Sequence, residues 1–363
     1  MIVKNQKKWN IGWGTVSLCN MNCEFCYSRF KRKEDTDLSY SDWEKFVYEN
    51  HQQINSINYG TGENSLSDEW FKLIYYVRKY FPEIRQSVTT NGYISQAIKN
   101  DIKKSQIVID SIDEFDVSLD YADLEKHNNF RGQKNAGEWV IKTLEFCHEY
   151  KKETTIVCLG SEVNMYMSNL DGLFSIAKEY GCKIRINIYR PTEGVDEFSK
   201  KFIWNPVHLI DTIYEISKKY KVLAISDALL SNLLTDKNEE DPSGLSSIRI
   251  LPDGNITPST YLIRDSFIIG NIKQDYVLEK LDESDLLSRT IHEEIPEECK
   301  GCIYEKKCKG GVLDRRYLWQ GTLSKKDPYC IFETSKLEKI SLSNEKFESV
   351  HYGYLPTLFF EPY

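Results

Sequence analysis

Cys19, Cys23 and Cys26 stand in the run Cys19-Asn20-Met21-Asn22-Cys23-Glu24-Phe25-Cys26, a C-x3-C-x2-C spacing. Three thiolates on one short stretch are too few to close a four-coordinate structural zinc site. They can hold three irons of a [4Fe–4S] cluster, whose protein ligands are thiolates. The fourth iron then stays open, by the logic that separates catalytic from structural metals. Zinc with a distant fourth ligand, or three unrelated buried thiols, is the plainer alternative. Toward the other end, Cys299, Cys302, Cys308 and Cys330 supply four thiolates. Four can close a [4Fe–4S] cluster or a four-cysteine zinc site. Cys147, Cys158 and Cys182 lie scattered between them and read as apolar packing.

The rest of the composition narrows the class. The chain has 363 residues, 40% of them hydrophobic and 28% charged, so a sizeable core is expected and bulk disorder is not. A length of this kind suits one large domain plus a small one. No apolar run is long enough for a membrane helix, and MIVKNQKKWN has no secretory apolar core, so a cytoplasmic protein with reduced thiols is expected. The net charge of −8 argues against general nucleic-acid binding. Arg29-Phe30-Lys31-Arg32-Lys33 is the one basic cluster; it reads as a solvated loop that could steer an anionic partner.

Residues 9–220 alternate short apolar strands with amphipathic helices. Strands are expected at Asn10–Ser17, Ser56–Tyr59, Arg85–Thr90, Glu114–Leu119, Thr154–Leu159 and Lys183–Ile188. Helices are expected at Ser41–Gln53, Asp68–Tyr80, Gly137–Tyr150, Asn169–Tyr180 and Pro206–Tyr220. Strands buried on both faces and separated by helices predict a parallel α/β sheet. The first cysteine cluster then sits at the carboxyl end of the first strand, where active sites of such folds gather. The polar stretch Ser231–Gly244 marks a boundary, and Asp253-Gly254 joins two short runs into a hairpin. The expected organisation is a barrel over 1–232, a cluster domain over 245–335, and a tail over 336–363 that mixes a helical stretch with aromatics and packs on the core.

C-x3-C-x-aromatic-C after the first strand resembles the signature of the radical S-adenosylmethionine (SAM) superfamily. The resemblance implies a partial (β/α)6 TIM-like barrel and a [4Fe–4S] cluster whose open iron chelates SAM. One electron then cleaves SAM to a 5′-deoxyadenosyl radical, which abstracts a hydrogen atom from substrate. Further segments agree in order. Gly60-Thr61-Gly62-Glu63 is similar to the family's Gly-Gly-Glu segment, with Thr61 replacing its first glycine and Asn64 the usual proline. By the resemblance Glu63 would accept the SAM ammonium. Thr90-Asn91-Gly92 ends the third strand, and Ser118-Leu119-Asp120 ends the fourth. His127-Asn128-Asn129-Phe130-Arg131-Gly132 follows. Ser118 and Arg131 would contact the SAM carboxylate or ribose, and Phe25, Thr61, Gly62 and Asn91 complete the implied cofactor site. His127 is expected to hold a loop rather than to act as a base. Glu162, Asn164, Asn187 and Arg190 follow the fifth and sixth strands and could line the cavity; Arg190 and Lys183 could equally be surface charges. Cys158 could donate a hydrogen atom, as in epimerising relatives.

Cys299-x2-Cys302-x5-Cys308 with the late Cys330 resembles the SPASM (twitch-like) extension of these enzymes, which carries auxiliary iron–sulfur clusters. The resemblance favours a [4Fe–4S] cluster over zinc there. Two departures stand out. Ser259 follows the hairpin where a cysteine is expected, and Val312 stands where C-x2-C-x5-C-x3-C would end. One auxiliary cluster is therefore expected rather than two. It could relay electrons or staple a small domain that lacks its own core.

What the resemblance implies is a radical SAM/SPASM-type enzyme that modifies a ribosomally made peptide by crosslinking, thioether formation, epimerisation or oxidation. A flavodoxin or ferredoxin would supply the electron, and no nucleic acid or membrane is involved. No separate leader-binding domain is expected, since the first strand begins near residue 10. The barrel mouth and C-terminal region, or a partner, would hold the peptide. Twenty-three tyrosines and seven tryptophans could provide contact surface. The alternatives are a dehydrogenase or epimerase of a sugar or amino-alcohol, and a non-catalytic zinc or iron–sulfur protein. Sulfatase maturation is less favoured, because those relatives keep both auxiliary clusters.

Overall fold

The computed structural model describes residues 7–29, 36–292, 295–332, 337–344, 347–352 and 354–362. Of the basic cluster, Phe30 to Lys33 lie outside the described residues. So does Tyr363 of the tail aromatics.

Six parallel strands form the frame: β1 (Trp9–Trp13), β2 (Ile54–Tyr59), β3 (Arg85–Thr90), β4 (Glu114–Ser118), β5 (Glu153–Gly160) and β6 (Lys183–Ile188). They are hydrogen-bonded in chain order, each pair in parallel. The strands are buried on both faces: Phe115, Val117, Ile184 and Ile186 alternate with the buried polar residues Asp116, Ser118 and Arg185. The outer packing is aromatic-rich: Trp9, Trp13, Trp43, Trp70 and Phe46 are all buried around β1 and β2. Trp13 meets Phe46 edge-on at 5.2 Å, a geometry rings prefer over a face-to-face sandwich. Helix starts are set by local side chains. Ser39 and Asp42 form a reciprocal capping box for Tyr40–Asn50. Asn205 caps Pro206–Lys219, with proline at the first helical position.

The expected boundary segment is not wholly loop. Ser231 to Leu234 belong to the buried helix Ala228–Leu234. Its polar members bond locally: the Ser231 hydroxyl donates to the Lys237 carbonyl, and Asn232 Nδ2 donates to the Ala228 and Glu239 carbonyls. After β7 (Lys221–Ile225), β8 (Ser247–Ile250) and β9 (Asn255–Thr257) form the expected hairpin. Gly254 takes φ +84° at its turn. β10 (Gly270–Asn271) pairs antiparallel with β9.

Two connections bind the C-terminal part to the barrel. β8 adds in parallel to β1, so the hairpin extends the barrel sheet. The tail contributes a strand rather than a helix: β11 (Leu358–Glu361) inserts antiparallel between β6 and β7. Burial of Phe359 and Phe360 explains that position, since both are fully inside. Among the described residues no helix is long and apolar enough to cross a membrane.

The tail also reaches the inner face of β1. Gly12 points there, and a Cβ built on it would lie 1.7 Å from the Tyr354 hydroxyl. That hydroxyl is held 2.7 Å from Thr260 Oγ1. Gly12→Ala is expected to displace Tyr354 and to cost about 1–3 kcal/mol, as overpacking does. Thermal unfolding checks the loss, and an unchanged midpoint would contradict the assigned contact.

Candidate active site

A cavity of about 200 Å³ opens at the carboxyl ends of the barrel strands. The loop after β1 brings Cys19, Cys23, Phe25 and Cys26 to its wall. Thr61 and Gly62 follow β2, Asn91 follows β3, Ser118 ends β4, and Arg131 ends the helix Leu124–Arg131; all five line the same cavity.

The approach of two loops sets this geometry. The Glu63 N–H donates to the Leu18 carbonyl at 2.8 Å, joining the loop after β2 to the start of the cysteine loop. At Gly62, φ is +64°, and a Cβ would come within 2.4 Å of that same carbonyl. Thr61 is left-handed too, at φ +85°. Such a backbone costs of order 1–3 kcal/mol for a non-glycine residue and persists where surroundings enforce it. Here the enforcing groups are polar: Arg249 Nη2 donates to the Thr61 hydroxyl and, at 2.6 Å, to the Gly60 carbonyl.

Glu63 does not line the cavity. It is fully buried, with Ser65 and Thr90 hydroxyls at 2.6 and 3.0 Å and the Asn91 N–H at 2.9 Å on its carboxylate. Burial pushes its pKa up, against these hydrogen bonds. Its role in this geometry is to tie the end of β3, and thereby Asn91, to the loop after β2. Asn91 Nδ2 then donates to Asn20 Oδ1 at 2.8 Å and lies 3.9 Å from Cys19 Sγ.

The other side of the cysteine loop is held from the fourth strand. Arg131 Nε donates to Asp120 at 2.6 Å, and its guanidinium stands 5.1 Å from the Phe25 ring. Phe25 stacks on Phe130 at 4.4 Å. Cys23 Sγ lies 3.6 Å from the Arg131 carbonyl. Burial pushes the Cys23 thiol up to about 11, with the Arg131 charge pulling the other way. A metal's own charge reverses that balance and deprotonates a coordinating thiol. His127 is buried, accepts the Asp120 N–H at Nδ1, and is driven down to about 4 by burial, so it is neutral and holds the loop.

The cysteine spacing bears on zinc against cluster. Among the described residues, neither cysteine group brings three sulfurs within 4.8 Å of one another. A single tetrahedral zinc needs sulfurs about 4 Å apart, given Zn–S near 2.3 Å. Neither set is thus closed around a single tetrahedral ion. The second group lies on the turn Glu297–Cys299, the short helix Glu305–Cys308 and the loop that carries Cys330, all partly buried. Burial raises Cys299 to about 11 and Cys308 to about 12.

Where a further cysteine would follow the hairpin, Ser259 donates to Asp314 at 2.7 Å, and Asp314 pairs with Arg190 at 2.5 Å. Arg190 is therefore buried and cavity-lining rather than a surface charge. Asn187 also lines the cavity. Glu162 and Asn164 do not: Glu162 meets His208 at 2.6 Å, and Asn164 is buried against β5. Cys147, Cys158 and Cys182 are buried away from the cavity, and burial raises all three thiols.

Sequence reasoning missed Arg185, Arg249, Tyr261, His351 and Tyr354, which also line the cavity. Arg249 left a trace, as a cation flanked by Ile248 and Ile250 in a strand. The tail residues left none, because their place depends on where β11 inserts.

Gly62→Ala is expected to force the two loops apart. The predicted cost is about 1–3 kcal/mol, with a matching fall in SAM affinity, measurable by thermal unfolding and equilibrium binding. Wild-type values would contradict the close approach.

Comparisons with known proteins place this geometry. Residues 15–167 match the radical SAM superfamily. The chain is 21% identical to an AdoMet-dependent heme synthase of Methanosarcina barkeri, over 90% of this chain and 97% of that protein. It is 23% identical to a cysteine-type anaerobic sulfatase-maturating enzyme of Clostridium perfringens, over 81% of this chain and 85% of that protein. The crystal structure of Streptococcus suis SuiB bound to its precursor peptide SuiA shares the fold, with TM-score 0.69 at 14% identity, over 90% of this chain and 76% of that one. Residues 15–167 thus form a radical SAM domain.

Proposed function

We propose that Cys19, Cys23 and Cys26 hold the SAM-binding [4Fe–4S] cluster, and that Cys299, Cys302, Cys308 and Cys330 hold one auxiliary cluster. When bound, the first cluster and SAM supply reductive SAM cleavage and hydrogen-atom abstraction. The chain's own residues do the rest. Phe25 and the Arg131–Asp120 pair fix the cysteine loop. Thr61, Gly62, Asn91, Ser118 and Arg131 form the polar walls against which SAM would lie. The hairpin and the tail cover the cavity and keep water from the reacting carbon.

The substrate we propose is a ribosomally made peptide. The observation that carries this reading is the composite cavity, whose walls come from the barrel, the hairpin and the tail together. Barrel mouth and C-terminal region thus offer one continuous receiving surface. The fold shared with a SuiB–precursor peptide complex supports it. The similarity to a heme synthase over 90% of this chain favours a second reading, a non-peptide substrate. A flavodoxin or ferredoxin is the electron donor we propose.

Two clusters predict about eight irons per chain after anaerobic reconstitution. Cys23→Ala should abolish reductive SAM cleavage, and retained cleavage would contradict the ligand assignment. Cys302→Ala should lose about half the iron and keep substrate-free cleavage; unchanged iron would remove the auxiliary cluster. Mass spectrometry of a candidate precursor peptide after anaerobic turnover should show a mass change that depends on SAM and reductant. An unmodified peptide, with a small molecule turned over instead, would select the second reading.

A further inference from the structure

The floor of the cavity carries positive charge that the protein does not fully balance. Four guanidiniums line the cavity: Arg131, Arg185, Arg190 and Arg249. Arg131 is bound by Asp120 and Arg190 by Asp314. Arg249 meets neutral oxygens: the Gly60 carbonyl at 2.6 Å, the Tyr27 hydroxyl at 3.1 Å and the Thr61 hydroxyl. Arg185 is 1% exposed, and its Nε and Nη1 have no hydrogen-bond partner among the described residues. Asp116 stands 3.5 Å from Arg185 Nη1, and the same carboxylate oxygen lies 2.8 Å from His351 Nδ1.

The strand pleat locates this group. Ser118 and Asn187 line the cavity from β4 and β6. Two residues earlier on the same faces come Asp116 and Arg185. They lie one side-chain layer deeper, about 7 Å along the strands. Arg185 therefore stands one layer below Asn187 on β6, and the register across β5 sets it level with Ser118 through Val157.

A buried cation with unmet donors is costly unless something pairs with it. A guanidinium presents a planar fork that the two oxygens of a carboxylate match. A dianionic phosphate fits less well, because Asp116 sits beside the fork and repels the second charge. We propose that the cavity floor is a carboxylate-binding subsite for the substrate, with Arg185 as the principal donor and the Arg249 charge in support. The assignment rests on reading this cavity as the substrate site. It does not require the substrate to be a peptide.

The test uses cluster-loaded, SAM-bound enzyme, titrated anaerobically with two probe pairs. N-acetyl-glutamate N-methylamide against its glutamine analogue reads a side-chain carboxylate. N-acetyl-leucine against N-acetyl-leucinamide reads a chain-terminal one. At least one acid is expected to bind tenfold or more tightly than its amide. That preference should fall below twofold in Arg185→Gln, with SAM affinity within twofold of wild type. Equal binding of acid and amide, no binding of any probe, or a preference that survives Arg185→Gln would overturn the proposal. So would a loss of SAM affinity in that variant, which would give the guanidinium to SAM's own carboxylate. If Arg185→Gln does not fold, Arg185→Lys carries the test: it keeps the charge and loses the fork, so the preference should drop severalfold, and an unchanged preference is again fatal. Probe preference without any peptide modification would end the peptide reading and leave the subsite standing.

Discussion

The close approach of the Gly60–Glu63 loop to the start of the cysteine loop governs the site. The contact is one backbone hydrogen bond, Glu63 N–H to Leu18 carbonyl, and it exists only because residue 62 has no Cβ. Around it the chain has stacked fixed polar contacts. Glu63 grips the end of β3, and Arg249 reaches from β8 to grip the other side of the same turn. Thr61 stays left-handed within that grip. The cysteine loop thus inherits its position from the rigid sheet, although it contains no regular structure of its own. Preorganisation of this kind is what a site needs when a reactive species must be formed beside one chosen atom.

A second constraint joins the C-terminal region to the barrel. The helix Leu313–Gln320 carries Asp314 and Arg315 side by side. Asp314 pairs with Arg190 at the end of β6. Arg315 bridges Asp227, which caps the buried helix after β7, and Asp327, which precedes Cys330. All of these side chains are buried. Their pairing offsets the desolvation of each, and a buried ionic network specifies one arrangement more sharply than it adds stability. Ser259 joins the network through Asp314. The place where a hairpin-side ligand would stand is thus filled by hydrogen-bonded protein.

Much of the frame was legible in the sequence, and the reasons are local. Arg85–Thr90 and Lys183–Ile188 are strands over the expected residues because each is a short run, half of it β-branched, that follows a helix and a turn. The Asp253-Gly254 hairpin announced itself through turn chemistry. The cysteine spacings and strand-end motifs named most of the cavity's upper wall. Three things were hidden. Ser231 to Leu234 looked like linker because a polar run follows it, yet Ser231 and Asn232 hydrogen-bond inside. Glu63 looked like a wall residue, while its oxygens are taken by β3. The cavity floor depends on His351 and on Arg185, and no local pattern reveals which distant segment a strand interior will face.

β11 occupies an unusual place: chain-late, yet hydrogen-bonded on both sides by β6 and β7. Those two strands are made more than a hundred residues before it. During synthesis on the ribosome, β7 emerges without its sheet neighbour and waits for residues 358–361. His351 and Tyr354 precede that strand by only a few residues, so they enter the barrel with it. The nascent barrel is therefore open along its β6 side for most of translation.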